Sequence, residues 1–390
     1  MTRQEKQAYF EAIYPRYRRA SQPEKSRILD EFCSVCGYRR KYAIRKLGRR
    51  PTAAQPRKKP GRVSRYNQPD VIKVIREIWF ATDQMCGKRL AAAIPEWLPH
   101  YERMHPELTA SVRNTVLAAS PATLDRLLKP ARVQTPKGLS GTRPGTLLKQ
   151  QIPIRSGYWD VSQPGFMEAD TVAHCGNSLA GDFVWSLTLT DILTGWTECR
   201  ATWNKGSTGV VNQIKAIEQA LPFALRGFDC DNGSEFLNYH LLRYFTDHPG
   251  QPQFTRSRPY RKNDNAHVEQ KNWTHVRHLF GYDRLEDQTL VSQMNDLYAH
   301  EWSLLQNHFR PTMKLKEKQR VGGRYQKKYA PPETPYARMM VSEAVSDEAK
   351  AALKTQHEQL NPFELKATIE AKLKAIFNKV TVTSNVRQRI

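Results

Sequence analysis

The chain has 390 residues, with 61 Lys and Arg against 38 Asp and Glu, a formal charge of +23 and 39 % hydrophobic residues. At ~100–200 residues per domain, this length predicts two to four domains with enough apolar residues for a sizeable core. No run of ~18 uncharged apolar residues occurs and Met1–Lys6 lacks a signal's apolar stretch, which argues against membrane insertion or secretion and predicts a cytoplasmic, nucleoid-associated protein.

Ser21-Gln22-Pro23-Glu24 has the pattern of a capping box with Pro in the first turn, so a helix is predicted from there, with Ile28, Leu29 and Phe32 on one face. Cys36-Gly37 then supplies a tight turn into a second helix, Arg39–Leu47. Ala43 and Leu47 point inward on it, while Arg39, Arg40, Arg45 and Lys46 are available outside. This is helix-turn-helix spacing with a basic second helix. From Arg39 to Arg65 twelve residues are basic and none is acidic, Arg57, Lys58, Lys59 and Arg62 among them. Such a Pro-rich cationic segment suits a phosphate backbone, whose counterions it would release. Residues 1–66 are therefore expected to form a DNA-binding region with a basic linker. Cys33-x-x-Cys36 has zinc-knuckle spacing but no second ligand pair nearby, so these thiols are read as small buried residues, and all six cysteines as reduced.

Asn67-Gln68-Pro69-Asp70 opens another helix (Val71, Val74, Ile75, Ile78, Trp79), which turns at Cys86-Gly87 into Lys88–Ile94. Further helices follow around Val112–Ala118 and from Ser120-Pro121 to Leu128, making residues 67–129 a second helical, helix-turn-helix-like DNA-binding region. Residues 130–164 read as a basic Pro/Gly linker, acid-free up to Trp159.

After Gly165 the texture becomes β-branched and aromatic. Strands are predicted at Phe166–Ala173, Phe183–Asp191, Thr197–Trp203, Leu225–Asp231 and around Phe254-Thr255, with helices at Gly209–Leu221, Asn238–His248 and Ala266–Phe280. Three meandering strands followed by alternating helix and strand describe an α/β core of the ribonuclease-H type, a mixed five-stranded sheet spanning residues 165–285. Residues 286–390 form a basic and helical C-terminal region. Pro311–Arg338 is basic around Gly322-Gly323 and suits a small strand-rich module or an extended segment. Asp347–Leu360 and Pro362–Phe377 read as helices, the second with Leu365, Ile369, Leu373 and Ile376 in one stripe that suits packing on its own domain.

Three acids fall where chemistry would be expected. Asp170 lies in the first strand, and Asp231 ends the fourth at an Asp-Asn-Gly turn. Glu269 begins the last core helix, with Trp273, Val276 and Phe280 at +4, +7 and +11 in one stripe predicted to enter the core. An acid heading a buried stripe implies a cation. Glu168 and Asp229, each two residues from one of these acids on the same strand face, are the rival assignments.

The order Asp170, Asp231, Glu269, with 60 and 37 residues between, resembles the DDE triad of the retroviral-integrase superfamily. Asp191-Ile192-Leu193-Thr194-Gly195-Trp196 is similar to that family's second strand and turn. Asp231-Asn232-Gly233-Ser234-Glu235-Phe236 matches its DNGxEF element, and Arg258-Pro259-Tyr260 through Glu269-Gln270-Lys271-Asn272 resembles the segment with its catalytic Glu. With Gly141-Thr142-Arg143-Pro144-Gly145 and the helical N-terminus, the chain resembles bacterial insertion-sequence DDE transposases.

The resemblance implies a DNA transposase that binds the terminal inverted repeats of a mobile element, cleaves at its ends and joins the 3′ ends to target DNA. Asp170, Asp231 and Glu269 would hold two Mg²⁺ ions, with Mn²⁺ as substitute. Asp191, Asn232 and Glu235 would support them, and His267, Lys271 and His278 would face DNA. A homodimer or higher homo-oligomer on DNA is expected, with room for a helper ATPase and no membrane partner. The alternatives are a catalytically silent integrase-fold DNA-binding regulator and a structure-selective nuclease without strand transfer.

Overall fold

The structure is a computed structural model describing residues 1–48, 64–131, 162–231, 233, 235–257, 266–321 and 324–387. It divides into two compact units, Met1–Val63 and Ser64–Ile390. Arg57, Lys58, Lys59, Arg62 and Asn232 lie outside the described residues, as does most of the 130–164 linker.

In the first unit, α1 (Arg3–Arg19), α2 (Gln22–Cys36) and α3 (Arg40–Leu47) enclose Phe10, Ile13, Ile28, Leu29, Phe32, Cys36, Ala43 and Leu47. The Ser21 amide and hydroxyl both donate to the Glu24 carboxylate at 2.8 Å, fixing the start of α2. Gly37 ends it with φ +67°, a conformation glycine adopts without cost, and donates its N–H to the Cys33 carbonyl at 2.8 Å. The α2–turn–α3 arrangement follows the predicted pattern. α1 falls in a stretch that reads as helical without bounds of its own, and its capping box is Thr2 with Glu5. Both cysteines of Cys33-x-x-Cys36 are free thiols, Cys36 buried, and among the described residues no group of three His, Cys, Asp or Glu side chains is placed to hold a metal.

The second unit begins with α4 (Pro69–Ala81), α5 (Gly87–Met104), α6 (Ala110–Leu117) and α7 (Pro121–Leu128). α5 continues ten residues beyond the predicted end at Ile94, through Pro95 and Pro99, because its far half buries Trp97, Leu98 and Tyr101. That burial outweighs the amide hydrogen bonds the two prolines cannot make.

The sheet comprises β1 (Phe166–Ala173), β2 (Val184–Asp191), β3 (Thr197–Trp203), β4 (Gly227–Cys230) and β5 (Gln253–Arg256), with α8 (Ser207–Ala220) between β3 and β4 and α9 (Tyr239–Thr246) between β4 and β5. Its order is β3-β2-β1-β4-β5. β1, β2 and β3 are antiparallel, whereas β4 runs parallel to β1 and β5 to β4. This mixed sheet flanked by helices is consistent with a ribonuclease-H-like core. Every residue of β2 is buried, which requires cover on both faces. On one face Leu187 and Leu189 meet Val210, Ile214 and Leu241 of α8 and α9; on the other, Val184, Cys199 and Ala201 meet the helices that follow β5.

Those helices are α10 (Ala266–Lys271), a π-helical segment Asn272–Arg277 and the short α11 (His278–Phe280), then α12 (Leu290–Leu297), a second π segment Tyr298–Trp302 and α13 (Ser303–Phe309). A hairpin, β6 (Leu315–Val321) and β7 (Arg324–Tyr329), occupies the basic stretch, followed by α14 (Pro335–Val341), α15 (Asp347–Gln359) and α16 (Pro362–Arg387). The stripe on α16 packs within its own unit: Ile369 and Ile376 are buried in the core that holds Trp97 of α5 and Phe309 of α13. Trp97 Nε1 donates to the Phe309 carbonyl at 3.0 Å, and Asp83 accepts from Lys366 Nζ at 2.6 Å and from Arg310. The helices of 67–129, read from sequence as a region of their own, thus share a core with residues 276–376. No helix of the described residues is long and apolar enough to cross a membrane.

Candidate catalytic site

Strand register brings two of the sequence-predicted acids together. Ala169 of β1 is paired with Cys230 of the parallel β4, so the next residues, Asp170 and Asp231, leave the shared edge side by side. Asp170 Oδ1 accepts from the Thr171 amide at 2.7 Å and Oδ2 from Asn272 Nδ2 at 2.6 Å. Asp231 Oδ1 accepts from the Gly233 amide at 2.8 Å, closing the Asp-Asn-Gly turn. Burial, followed by the charges of Asp231 and Glu235, pushes Asp170 up to about 7 despite its two donors. Burial and Glu235 likewise raise Asp231. The two carboxylates repel each other in a site that disfavours charge.

Glu235, expected as a support, is buried and held from two sides: Thr171 Oγ1 donates to Oε1 at 2.7 Å, and Lys205 Nζ pairs with Oε2 at 2.7 Å. A Cβ on Gly233 would lie 2.5 Å from that carboxylate, so a side chain there would push Glu235 off these partners. Asp191 accepts from the Gly165 amide at 2.8 Å, the Thr194 amide at 2.7 Å and the Thr194 hydroxyl at 2.6 Å. It ties the β2–β3 turn to the start of β1 and supports the sheet rather than touching the acid pair.

Glu269 differs from expectation. It is exposed on α10, and Trp273 is 49 % exposed, while Val276 and Phe280 are buried. The stripe of four does not enter the core because the helix turns π at Asn272, and with more residues per turn the +4 and +7 positions no longer follow one line. Burial of Glu269 therefore gives no argument for a cation. What this helix brings to the pair is Asn272, three residues beyond Glu269, whose amide reaches Asp170. The rival acids are bound elsewhere. Glu168 accepts from the Val268 amide at 3.3 Å and Asp229 from Thr255 Oγ1 at 2.6 Å.

Of the predicted DNA-facing residues on this helix, Lys271 is corrected. It is buried, donates from Nζ to the Gly195 carbonyl at 3.1 Å and is pushed down to about 7 by burial and by Arg89 and Arg338, so it faces the sheet. His278 is exposed. The side chain of His267 lies outside the described ones. On the first unit Arg39, Arg40 and Arg45 are exposed. Arg40 pairs with Asp30 and donates to Ser26 Oγ at 2.8 Å, Arg45 lies over the Tyr42 ring at 5.5 Å, and Lys46 is turned onto the rings of Phe10 and Tyr38.

Sequence reasoning missed Asn272, Thr171 and Lys205. Only Asn272 had a local signal, its spacing of three from Glu269. The pair Asp170 and Asp231 offers oxygen donors of the kind hard divalent cations take, two adjacent carboxylates held above their ordinary pKa by burial and acidic neighbours, while among the described residues no third candidate ligand already converges on them.

No family model matches the chain. A protein of Sinorhizobium fredii (strain NBRC 101917 / NGR234), "Uncharacterized protein y4rM", is 41 % identical over 332 residues, spanning 84 % of this chain and 93 % of the relative. The chain belongs to the y4rM family. Among solved structures, the catalytic core domain of BIV integrase (crystal form I) aligns with 14 % identity and a TM-score of 0.29, over 50 % of this chain and 97 % of that one.

Proposed function

We propose that the protein is a DNA transposase, a DDE polynucleotidyl transferase that cleaves at the ends of a mobile element and joins them to target DNA. The observation that carries this reading is the register of β1 on β4, which sets Asp170 beside Asp231 in a site where both carboxylates are costly to ionise. The net charge of +23 fits a nucleic-acid substrate.

Asp170 and Asp231, with Glu269, would hold two Mg²⁺ or Mn²⁺ ions, which when bound supply Lewis acidity to the attacking and leaving oxygens. The chain's own residues orient these ligands. The Thr171 amide and Asn272 fix both oxygens of Asp170, the Gly233 amide fixes Asp231, and the Thr171–Glu235–Lys205 connection braces the turn between them. In the first reaction water attacks phosphorus and the P–O3′ bond breaks, leaving a 3′-hydroxyl on the element. In the second, that hydroxyl attacks a target phosphodiester and displaces its 3′ oxygen.

The silent DNA-binding regulator has one observation in its favour: Glu269 is exposed, and among the described residues no three candidate ligands already converge. Incubating labelled terminal-repeat DNA, supercoiled target and Mg²⁺ or Mn²⁺ with the protein separates the readings. Joined product from the unmutated chain, absent with Asp170→Asn and Glu269→Gln, supports the transposase. Binding without cleavage supports the regulator, and cleavage without joining a nuclease.

A further inference from the structure

The most unusual exposed side chain near the acid pair is Trp273. The sequence pattern places it inside; the π turn puts it outside, 49 % exposed, directly after the Asn272 that holds Asp170 and one turn beyond the exposed Glu269. A tryptophan left in water beside a polar site loses the burial its surface offers, so its position calls for an occupant. It is not alone. Tyr282, itself 38 % exposed, has its ring centroid 6.5 Å from that of Trp273 at an interplanar angle of 42°. The Arg277 guanidinium lies 4.7 Å from the Tyr282 ring and donates to the carbonyls of Ala173 at 3.0 Å and Gly281 at 3.3 Å. Arg277 thus clamps the tyrosine to the end of β1, the strand that carries Asp170. Gly281, at φ +67°, makes the turn that brings Tyr282 back over the helix.

We propose that Trp273 and Tyr282 form a stacking platform for an unpaired base of the DNA strand whose phosphodiester lies at Asp170 and Asp231. This rests on the transposase reading and names a feature of its substrate: the strand is locally unpaired beside the cleaved bond. An unpaired base is the occupant that matches the patch. It offers a flat π face of the right size and carries a phosphate on either side, and the platform combines two aromatic faces with a guanidinium in a strongly basic chain. A base within a duplex is stacked on its neighbours and has no free face to give. The two rings are tilted rather than parallel, so one base would lie on Trp273 with Tyr282 closing its edge.

The test uses the full chain in EDTA, where cutting is suppressed, with two probes: a mixed-sequence single strand carrying 2-aminopurine and the blunt duplex of the same sequence. Stacking on Trp273 predicts that Trp273→Ala weakens single-strand binding by about tenfold or more and removes the 2-aminopurine quench, with duplex affinity held. Trp273→Phe, which keeps an aromatic face, retains most of the affinity, and Tyr282→Ala gives a smaller loss. A Trp273→Ala chain that binds and quenches the single strand like the unmutated protein, or loses duplex affinity equally, overturns the platform while leaving the transposase reading standing. An unmutated chain that binds neither probe overturns both.

Discussion

Asp170 is subject to two opposing sets of interactions. Burial and the acids Asp231 and Glu235 push its proton on, while the Thr171 amide and Asn272 pull it off, and the net shift is upward, to about 7. Such a residue destabilises the folded chain when ionised, a cost associated with function rather than folding. His174 contributes to stability with the opposite sign. Its Nε2 lies 2.8 Å from Ser186 Oγ, which in turn lies 2.9 Å from the Tyr298 hydroxyl, and full burial, with Arg277 nearby, drives its pKa from 6.5 to about 3. The folded chain therefore binds fewer protons at this site than the unfolded chain below 6.5, so the contribution is complete above that value and is lost as pH falls toward 3. His174→Gln should flatten the acid-side loss: urea midpoints of the two proteins compared across that window should converge, with the variant's the less pH-dependent. At this scale Asp231 was legible because a strand-ending Asp-Asn-Gly turn has a local pattern, and Asp170 because it is an acid inside a β-branched, apolar strand. Lys205 was not legible, because its partner Glu235 comes to it only through the tertiary fold.

The strands and the α2–turn–α3 unit were legible in the sequence, since β-branched runs, a capping box and a helix-ending glycine each act over a few residues. The π segments were not, because local spacing assumes 3.6 residues per turn, and this is why Glu269 and Trp273 were wrongly expected to share a buried stripe. The C-terminal hairpin was half legible: a small strand-rich module was one of two readings of the basic stretch, whereas the pairing of Leu315 with Tyr329 had no local pattern. Arg39, at the start of α3, and Arg40 and Arg45 on it are exposed while Ala43 and Leu47 are buried. If α3 contacts DNA phosphates, Arg39→Ala and Arg45→Ala should each weaken binding evenly across sequences and lower the log–log salt slope by about one. Fluorescence anisotropy across a salt series measures it, and an unchanged slope would remove α3 from the interface.

In the whole molecule, the Ser64–Ile390 unit gathers helices that precede and follow the sheet in the chain into one core, and this was the least legible feature. Composition predicted separate basic and helical regions, but Trp97, Phe309 and Ile369 meet across more than two hundred residues, a closure that no local pattern encodes. These helices cover the face of β1, β2 and β3 that carries Val172, Val184, Cys199 and Ala201, beside the β1–β4 register that sets the acid pair. The central claim is that Asp170 and Asp231 are a metal-holding pair, and thermal unfolding of the full chain in EDTA and in rising Mn²⁺ tests it most directly. The predicted result is an unfolding midpoint that climbs with Mn²⁺ in the unmutated protein, by about 2.7 kcal/mol of stability at a hundredfold excess over the dissociation constant. Asp170→Asn and Asp231→Asn should melt no lower than the unmutated chain in EDTA and lose the climb. A climb of equal size in both variants, or none in the unmutated protein, would contradict the claim.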